Sequence, residues 1–143
     1  PEYPLLLLTG TRSIVYHHSR FRDHAWARRK EPEPQIHVHP ETAAALGLHD
    51  GAWVEGRLPD RPETFAARLR YDERVPPGVA STGMGWWLTT PDGAPDLALN
   101  INNCTSYGPP WDPVIGCPAT RGLPCQLRPL PAPVAGTPAS AWR

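Results

Sequence analysis

The sequence predicts a mostly β, barrel-like domain that carries one or two short helices. Two observations lead to this prediction. Short segments alternate apolar and polar residues, and the chain has 20 prolines in 143 residues, where the average share is about 5 %. Prolines and glycines fall between the segments, so we expect irregular connecting loops. Helices and strands do not alternate regularly along the chain, which argues against a parallel-sheet fold.

Two predicted strands run into glycine turns. Residues 3–9 are mostly apolar and end at Thr9-Gly10-Thr11, a pattern typical of a buried strand followed by a turn. Residues 79–88 form a second predicted strand, interrupted by Gly83 and Gly85, where the backbone must bend or be closely approached. A pocket lined by backbone groups can form at such a turn.

Three further strands are predicted by alternation. In residues 35–39, Ile36 and Val38 share one face, and the histidines beside them are expected on the solvent face. Residues 65–71 alternate in the same way, and residues 52–57, which follow the turn His49-Asp50-Gly51, form a strand before them. We therefore expect residues 52–57 and 65–71 to be neighbouring antiparallel strands.

Two helices are predicted. Residues 40–47 begin with Pro40 at a first helical position, have Glu41 beside it and end at Gly47. Residues 21–30 contain no helix breaker, and Pro32 follows them. Both helices are expected to be short.

The composition predicts one folded unit at about residues 4–128. Residues 129–143 are rich in proline and alanine, so we expect a disordered tail there. Because the chain begins at Pro1, we expect it to be a processed product or a piece of a longer protein. No apolar run is long enough to span a membrane, and localisation is not readable, with the cytoplasm slightly favoured. The three cysteines are too widely spaced for a disulfide scaffold, so reduced thiols are expected.

The positive charge is concentrated near the amino-terminal end. Between Arg12 and Lys30 there are six basic residues and one acidic residue, although the chain as a whole is neutral. Arginine suits a bidentate grip on phosphate or carboxylate. Arginine-rich codon usage would explain the arginine excess but not its clustering, and a neutral chain is a weak nucleic-acid binder.

Motifs for catalysis by the chain alone are missing from the sequence. The histidines and cysteines lack the paired spacings of zinc sites, and no nucleophile elbow, P-loop or dinucleotide fingerprint occurs. A protein-only metal site is therefore not expected. What remains is a glycine turn, a neighbouring arginine-rich segment and a polar loop at residues 100–112, a set that suits a ligand bearing phosphate and a base.

Seven motifs, in order, resemble a known family. They are Thr9-Gly10-Thr11-Arg12, residues 16–22, residues 39–43, residues 46–54, Pro77-Gly78-Val79, Gly85-Trp86-Trp87 and residues 100–105. In this order the chain resembles the C-terminal molybdopterin dinucleotide-binding domain of the dimethyl-sulfoxide-reductase superfamily of molybdenum and tungsten oxidoreductases. The motifs look most like those of the thiosulfate or polysulfide reductase and acetylene hydratase branches.

The resemblance implies a fold, a cofactor and a partner. The fold would be a double-psi β-barrel of about six strands, ending with a strand at residues 125–128. The cofactor would be bis(molybdopterin guanine dinucleotide) with molybdenum or tungsten, held jointly with the remaining domains or a large catalytic subunit. Those partners would supply the substrate pocket and the metal ligand, so this chain would not be catalytic by itself.

The resemblance also implies the binding residues. By position in the motifs, the residues expected to contact the cofactor are Thr9, Gly10, Thr11, Arg12, His18, Ser19, Arg22, Asn102, Thr105, Asp112 and Arg121. Three positions depart from the family pattern: Met84 replaces a histidine, Cys104 replaces a leucine, and the residue before the Pro-Glu helix is His39.

Alternatives to these roles remain open at the level of sequence. Gly10 could serve only a turn, Arg12 could form a surface ion pair, and Asn102 could satisfy loop backbone. Cys104 is favoured as a small buried hydrophobe over a functional thiol, and Trp86 as packing over cofactor stacking. For the whole chain, the alternative is a stand-alone barrel that binds a protein or nucleic-acid partner.

Overall fold

The structure, a computed structural model, describes residues 1–16, 20–21, 23–59, 61–88, 93, 96–105, 107–109 and 111–131. In these residues the chain forms six strands, named β1 (Leu5–Thr9), β2 (Gln35–Val38), β3 (Trp53–Arg57), β4 (Thr64–Tyr71), β5 (Val79–Thr82) and β6 (Arg121–Pro129). Helices α1 (Ala25–Lys30) and α2 (Pro40–Ala45) and two 3-10 helices, at Leu97–Leu99 and Ile101–Cys104, complete them. Of the tail expected at residues 129–143, residues 132–143 lie outside the described residues.

The strands close into a barrel in the order β1-β5-β2-β4-β3-β6, with β6 returning to β1. The pairs β1/β5 and β2/β4 are parallel, and the other four pairs are antiparallel. The expected mostly β barrel of about six strands with two short helices is thus confirmed, as is the antiparallel pair of residues 52–57 and 65–71. Closure removes the exposed strand edges that an open sheet would leave.

The barrel interior is filled by side chains that alternate along each strand. In β1, Leu5, Leu7 and Thr9 are buried while Leu6 and Leu8 face outward. The other strands contribute to the same core in the same way, as alternation predicts. The barrel is therefore packed with side chains, and a ligand must bind at its end or on its outside.

Gly56 allows an aromatic ring to cross the interior. A Cβ at this position would lie 2.1 Å from Cζ of Phe65, which faces Gly56 in the β3/β4 register and is buried. No real side chain fits at that distance. Gly56 thus fixes the position of the Phe65 ring in the core.

The helices differ in how well the sequence predicts them. Helix α2 has Pro40 at its first turn, and its N-cap His39 accepts a hydrogen bond at Nδ1 from the Glu41 amide, 3.2 Å away. Helix α1 starts at Ala25 rather than at residue 21, because Phe21 has a left-handed backbone with φ of 61°. A non-glycine residue in that conformation cannot continue a right-handed helix.

Three other expectations need correction. Strand β5 ends at Thr82 instead of continuing to residue 88, since Gly85 has φ of 77° and turns the chain. Strand β6 begins at Arg121, four residues before the expected start. The side chains of His37 and His39 are only 29 % and 19 % exposed, so they are partly covered rather than fully solvated.

The described part of the chain offers neither a metal-binding cluster nor a membrane-spanning helix. Among those residues, no three or more His, Cys, Asp or Glu side chains group together in a way that could hold a metal ion. None of the helices described is long and apolar enough to cross a membrane. The three cysteines are free, with Cys104 and Cys125 buried and Cys117 exposed.

Candidate cofactor-binding site

The turn after β1 lies at one end of the barrel and is fixed on both sides. Thr9 is buried, and its hydroxyl donates to the carbonyl of Thr120 just before β6. The Thr11 amide donates to the Thr82 carbonyl, 3.2 Å away, and the Thr11 hydroxyl shares a hydrogen bond with the Ser81 hydroxyl on β5. Residues 9–11 are therefore held between the two strands that flank β1.

Gly10 is required in this turn for conformation and for space. Its φ of +86° lies in the region that only glycine adopts without strain. A Cβ there would lie 3.2 Å from Nη2 of Arg121 and 3.3 Å from Cε of Met84. The Arg121 guanidinium thus covers the bare backbone of Gly10, and Met84 packs where the family pattern has a histidine.

The arginines beside this turn are available to an anion. Arg12 and Arg121 are both exposed. Within the described ranges, neither has a carboxylate partner. A guanidinium without a carboxylate offers its full fork of donors to a phosphate group. The surface ion pair considered for Arg12 is therefore not formed with these residues.

The start of the loop after β5 approaches the same turn. A Cβ on Gly83 would lie 3.2 Å from the carbonyl oxygen of Thr11, so only a small residue allows the two loops to approach so closely. This is the close backbone approach that a glycine inside a strand pattern predicts. The loops of residues 10–12 and 83–85 therefore meet at this end of the barrel.

A cavity of about 560 Å³ opens between these loops and the outer face of β2 and β5. Its walls include Thr11, Arg12, Ser13, Ser81 and Met84. The volume is in the range of small-molecule sites. Of the predicted binding residues, Thr11 and Arg12 line this cavity, while Gly10 lies beside the lining residue Met84 and Arg121 lies over Gly10.

One wall of the cavity is an aromatic cage around a cation. The Arg28 guanidinium lies 4.7 Å from the ring centroid of Trp86 and 5.6 Å from that of Tyr16, and its Nη2 donates to the Trp87 carbonyl at 2.7 Å. Trp86 and Tyr16 are buried, and both donate to the Glu31 carbonyl. Burial raises the pKa of Tyr16 above its usual value, which keeps the hydroxyl protonated as a donor. This arrangement supports the packing role of Trp86. The Arg28 guanidinium is engaged by these neighbouring residues.

The far side of the cavity carries a second polar group of residues. Nδ1 of His37 lies 3.6 Å from a carboxylate oxygen of Asp72, which also pairs with Arg74 at 2.8 Å. Hydrogen bonds from Arg74 lower the pKa of Asp72 to about 2. Burial lowers the pKa of His37, against the opposing effect of Asp72. At neutral pH this side is therefore a neutral imidazole beside an ion pair.

Asn102 and Thr105 lie on the second 3-10 helix and just after it, outside the cavity lining. Asn100 caps this helix by accepting from the Asn102 amide at 3.1 Å, and the Thr105 hydroxyl donates to the Asn102 carbonyl at 3.0 Å. Ile101, in the same turn, reaches the cavity wall, whereas the Asn102 side chain is exposed. The helix thus supports the cavity, while the side-chain carboxamide of Asn102 faces outward, where solvent or a ligand can reach it.

Cys104 and Asp112 have clear structural roles. Cys104 is fully buried in the core, and burial raises the pKa of its thiol to about 12, as expected of a small hydrophobe. The Asp112 carboxylate accepts from the amides of Val114 and Ile115, both at 2.9 Å, and these bonds lower its pKa. The predicted binding residues His18, Ser19 and Arg22 lie outside the described residues.

Several residues that line the cavity belong to none of the sequence motifs. Ser13 is an example: its hydroxyl donates to the Glu31 carboxylate and accepts from the Val15 and Tyr16 amides, which ties the loop after Gly10 to the end of α1. Ser81 is another, and only its place opposite His37 in the β2/β5 register brings it to the cavity. Gly83, in contrast, had a sequence signal, as a glycine inside a strand pattern.

The residues present fit a phosphate-bearing group. The fit rests on the space beside the Gly10 backbone, which a Cβ would fill. This space lies directly beneath the exposed guanidinium of Arg121. Backbone turns of this kind and arginines are the usual means by which proteins bind pyrophosphate.

Comparison with known proteins identifies the family. Residues 6–124 match the family model described as "Molydopterin dinucleotide binding domain". The chain belongs to this family. It is therefore a molybdopterin dinucleotide-binding domain, and the six-stranded barrel described above is its fold.

Two relatives show how small a part of a larger protein this domain spans. The chain is 34 % identical over 86 residues to a putative catalytic subunit of dimethyl sulfoxide reductase from Halobacterium salinarum, covering 60 % of this chain and 10 % of that protein. It is 30 % identical over 133 residues to acetylene hydratase of Syntrophotalea acetylenica, covering 85 % of this chain and 17 % of the relative. The binding domain thus spans less than a fifth of each relative's length.

A solved structure shows the same likeness. Acetylene hydratase from Pelobacter acetylenicus superimposes with a TM-score of 0.79 at 27 % sequence identity, over 88 % of this chain and 18 % of that one. The expected similarity to the acetylene hydratase branch agrees with both comparisons. No comparison supports the alternative of a stand-alone module for a protein or nucleic-acid partner.

Proposed function

We propose that this molybdopterin dinucleotide-binding domain holds and orients the guanine dinucleotide part of bis(molybdopterin guanine dinucleotide), with molybdenum or tungsten as the metal. The observation that carries the proposal is the Gly10 turn covered by the Arg121 guanidinium, with Arg12 beside it. One anion-binding turn and two arginines without carboxylate partners among the described residues suit a pyrophosphate linkage.

The chain's own residues divide the work of binding. The backbone of residues 9–11, fixed by Thr9 and Thr11, presents a rigid turn to the phosphates. Arg12 and Arg121 supply positive charge from the two sides of that turn. Because the turn is held by the hydrogen bonds of Thr9 and Thr11 before the ligand arrives, ordering it costs little entropy on binding.

The remaining predicted residues extend this proposal. Asn102 and Thr105 are proposed to line the channel through which the dinucleotide runs, since an exposed amide can read the donor and acceptor edge of a base. Asp112 is proposed to act by shaping its loop, because its carboxylate already accepts two backbone amides. His18, Ser19 and Arg22 are proposed to contact pterin and pyrophosphate on the strength of the motif alone.

The rest of the oxidoreductase would complete the site. When bound, the cofactor supplies the metal centre for oxidation–reduction chemistry. The substrate pocket and the protein ligand of the metal are proposed to come from the remaining domains or a large catalytic subunit, since the chain covers only 17 % of the acetylene hydratase that it resembles. This chain's contribution is binding, orientation and electrostatics.

The proposal is tested by comparing two arginines on the same strand. Arg121→Ala removes the guanidinium over Gly10, whereas Arg128→Ala removes an exposed arginine further along β6. Loss of one charge-assisted contact, about 1.5–3 kcal/mol, should weaken GDP binding roughly tenfold or more in Arg121→Ala, measured by calorimetry. Arg128→Ala should bind GDP like the unmodified chain. Equal affinities of the two variants would remove Arg121 from the site.

A further inference from the structure

Four large apolar side chains stand out of the loop before β6. Tyr107, Trp111, Val114 and Ile115, named here the apolar knuckle, are 78 %, 55 %, 87 % and 71 % exposed. Single exposed apolar residues are common, but four within nine positions are not. Such a concentration usually marks a contact surface.

The described residues of the loop that carries the knuckle are held by hydrogen bonds among themselves. The Asp112 carboxylate caps the amides of Val114 and Ile115, and the Asp112 carbonyl accepts from the Gly116 amide at 2.9 Å. The Asp112 amide donates to the Cys117 carbonyl at 2.8 Å. The Trp111 indole donates to the Tyr107 carbonyl at 2.9 Å. The apolar side chains are thus presented outward by a preformed turn, which lowers the entropy cost of binding a partner.

The knuckle is joined to the cofactor end of the barrel. Trp111 forms a β-bridge with Pro118 at the base of the loop. Two residues later, the Thr120 carbonyl accepts from Thr9, and Arg121 then covers Gly10. A protein surface that packs on the knuckle would therefore lie beside the turn that is proposed to hold the dinucleotide.

The chemistry of the loop indicates an apolar partner surface. Residues 107–120 contain no Glu, Lys, Arg or His, and Asp112 is their only Asp. The Asp112 carboxylate already accepts hydrogen bonds from the Val114 and Ile115 amides. A loop without basic residues has no charge with which to attract nucleic acid or an acidic headgroup. Its fit is to a complementary surface of aromatic and aliphatic side chains.

We propose that the apolar knuckle is the surface on which the remaining domains of the same oxidoreductase chain pack. The proposal rests on the proposed function, because a cofactor shared between this domain and the rest of the enzyme must lie where the two meet. The domain covers 18 % of the solved acetylene hydratase chain. In an oxidoreductase of similar length, the remaining domains would be large enough to cover the knuckle.

The chain carries its own probe for this contact. Cys117 follows the knuckle and is exposed, whereas Cys104 and Cys125 are buried and their thiols have pKa values raised to about 12. In the assembled oxidoreductase that contains this domain, alkylation of Cys117 by a maleimide is followed by mass spectrometry. A Glu73→Cys variant supplies the reference, because residue 73 is exposed in the turn after β4. Each rate is normalised to that of the denatured protein.

The expected result is that Cys117 reacts at least tenfold more slowly than a cysteine at position 73. Replacing the exposed Ile115 or Trp111 by serine should raise the Cys117 rate at least tenfold, as truncation of an interface anchor does. Trp26→Ser, which removes an indole of similar exposure (45 %) from α1, should leave the Cys117 rate unchanged.

Four results would overturn the proposal. Cys117 could react as fast as position 73, or Trp26→Ser could raise its rate as much as Trp111→Ser does. Protection that persists in this domain without the rest of the oxidoreductase would assign the knuckle to a second copy. Protection that requires added phospholipid vesicles would assign it to a membrane.

The guanine nucleotide released from the same preparation separates this proposal from the proposed function. Nucleotide present with a fully reactive Cys117 refutes the knuckle alone. A protected Cys117 without guanine nucleotide refutes the guanine cofactor instead.

Discussion

Replacing Gly10 by alanine should separate the conformational role of this residue from its role in the site. Alanine at φ of +86° costs about 1–2 kcal/mol of stability. In a domain of this size, that cost corresponds to a fall in melting temperature of roughly 3–8 °C. The new Cβ would also lie 3.2 Å from the Arg121 guanidinium and 3.3 Å from Met84. Both are ends of flexible side chains, so they should move away rather than unfold the barrel.

The displacement of Arg121 is the functional part of this prediction. Weakening one charge-assisted hydrogen bond to a phosphate should lower GDP affinity roughly tenfold. The matched control is Gly78→Ala, since Gly78 has a similar φ of +78° but a Cβ there would have nothing within 4 Å. Gly78→Ala should lose similar stability and keep its GDP affinity.

Calorimetric titration with GDP, together with thermal unfolding, measures both effects in both variants. A Gly10→Ala variant that binds GDP within twofold of the unmodified chain would refute the role of Arg121 at this turn. A Gly78→Ala variant that loses as much affinity as Gly10→Ala would refute it as well, because backbone strain alone would then explain the loss.

Three further predictions test other parts of the structure. Gly56→Ala should destabilise the barrel by at least about 2 kcal/mol in chemical denaturation, because its Cβ would lie 2.1 Å from the Phe65 ring; an unchanged midpoint would contradict the observed packing. The pKa of Asp72 is lowered to about 2 in the folded protein. The ionised Asp72 carboxylate therefore contributes to stability above about pH 4, the ordinary carboxyl pKa, and this contribution is lost as the pH falls from about 4 to 2. In Arg74→Ala, an NMR titration should find that pKa nearer its ordinary value. Finally, the Cys104 thiol, with a pKa raised to about 12, should resist iodoacetamide at pH 8 until the protein is denatured, and rapid reaction in the folded state would contradict its burial.

The fold could be predicted from the sequence as far as local pattern determines it. Alternation of apolar residues located the strands around Ile36 and Leu69, and Pro40 located the start of α2. The parallel pairing of β1 with β5 joins residues more than seventy positions apart, and nothing in a local pattern encodes such a pairing. The resemblance to a known family supplied the barrel topology.

The candidate site was predictable where it depends on backbone chemistry. Gly10 and Gly83 stand out in the sequence because a glycine at the end of a strand pattern usually marks a turn or a close backbone approach. The cage around Arg28 could not be predicted, since it is assembled from Tyr16 and Trp86, which are distant in sequence. By sequence, Arg28 is one of the six basic residues between Arg12 and Lys30, whereas in the structure it packs against the rings of Tyr16 and Trp86 in the cavity wall.

The central claim is that this domain recognises the guanine dinucleotide at the barrel end formed by Gly10 and Arg121. The most direct measurement is a two-dimensional amide NMR titration of the chain with GDP, with ADP as the control. We predict saturable shifts that are selective for GDP and centred on residues 9–12, 100–105 and 121. Equal shifts with ADP, shifts confined to the turn of residues 72–75, or no shifts in a well-dispersed spectrum would contradict this claim.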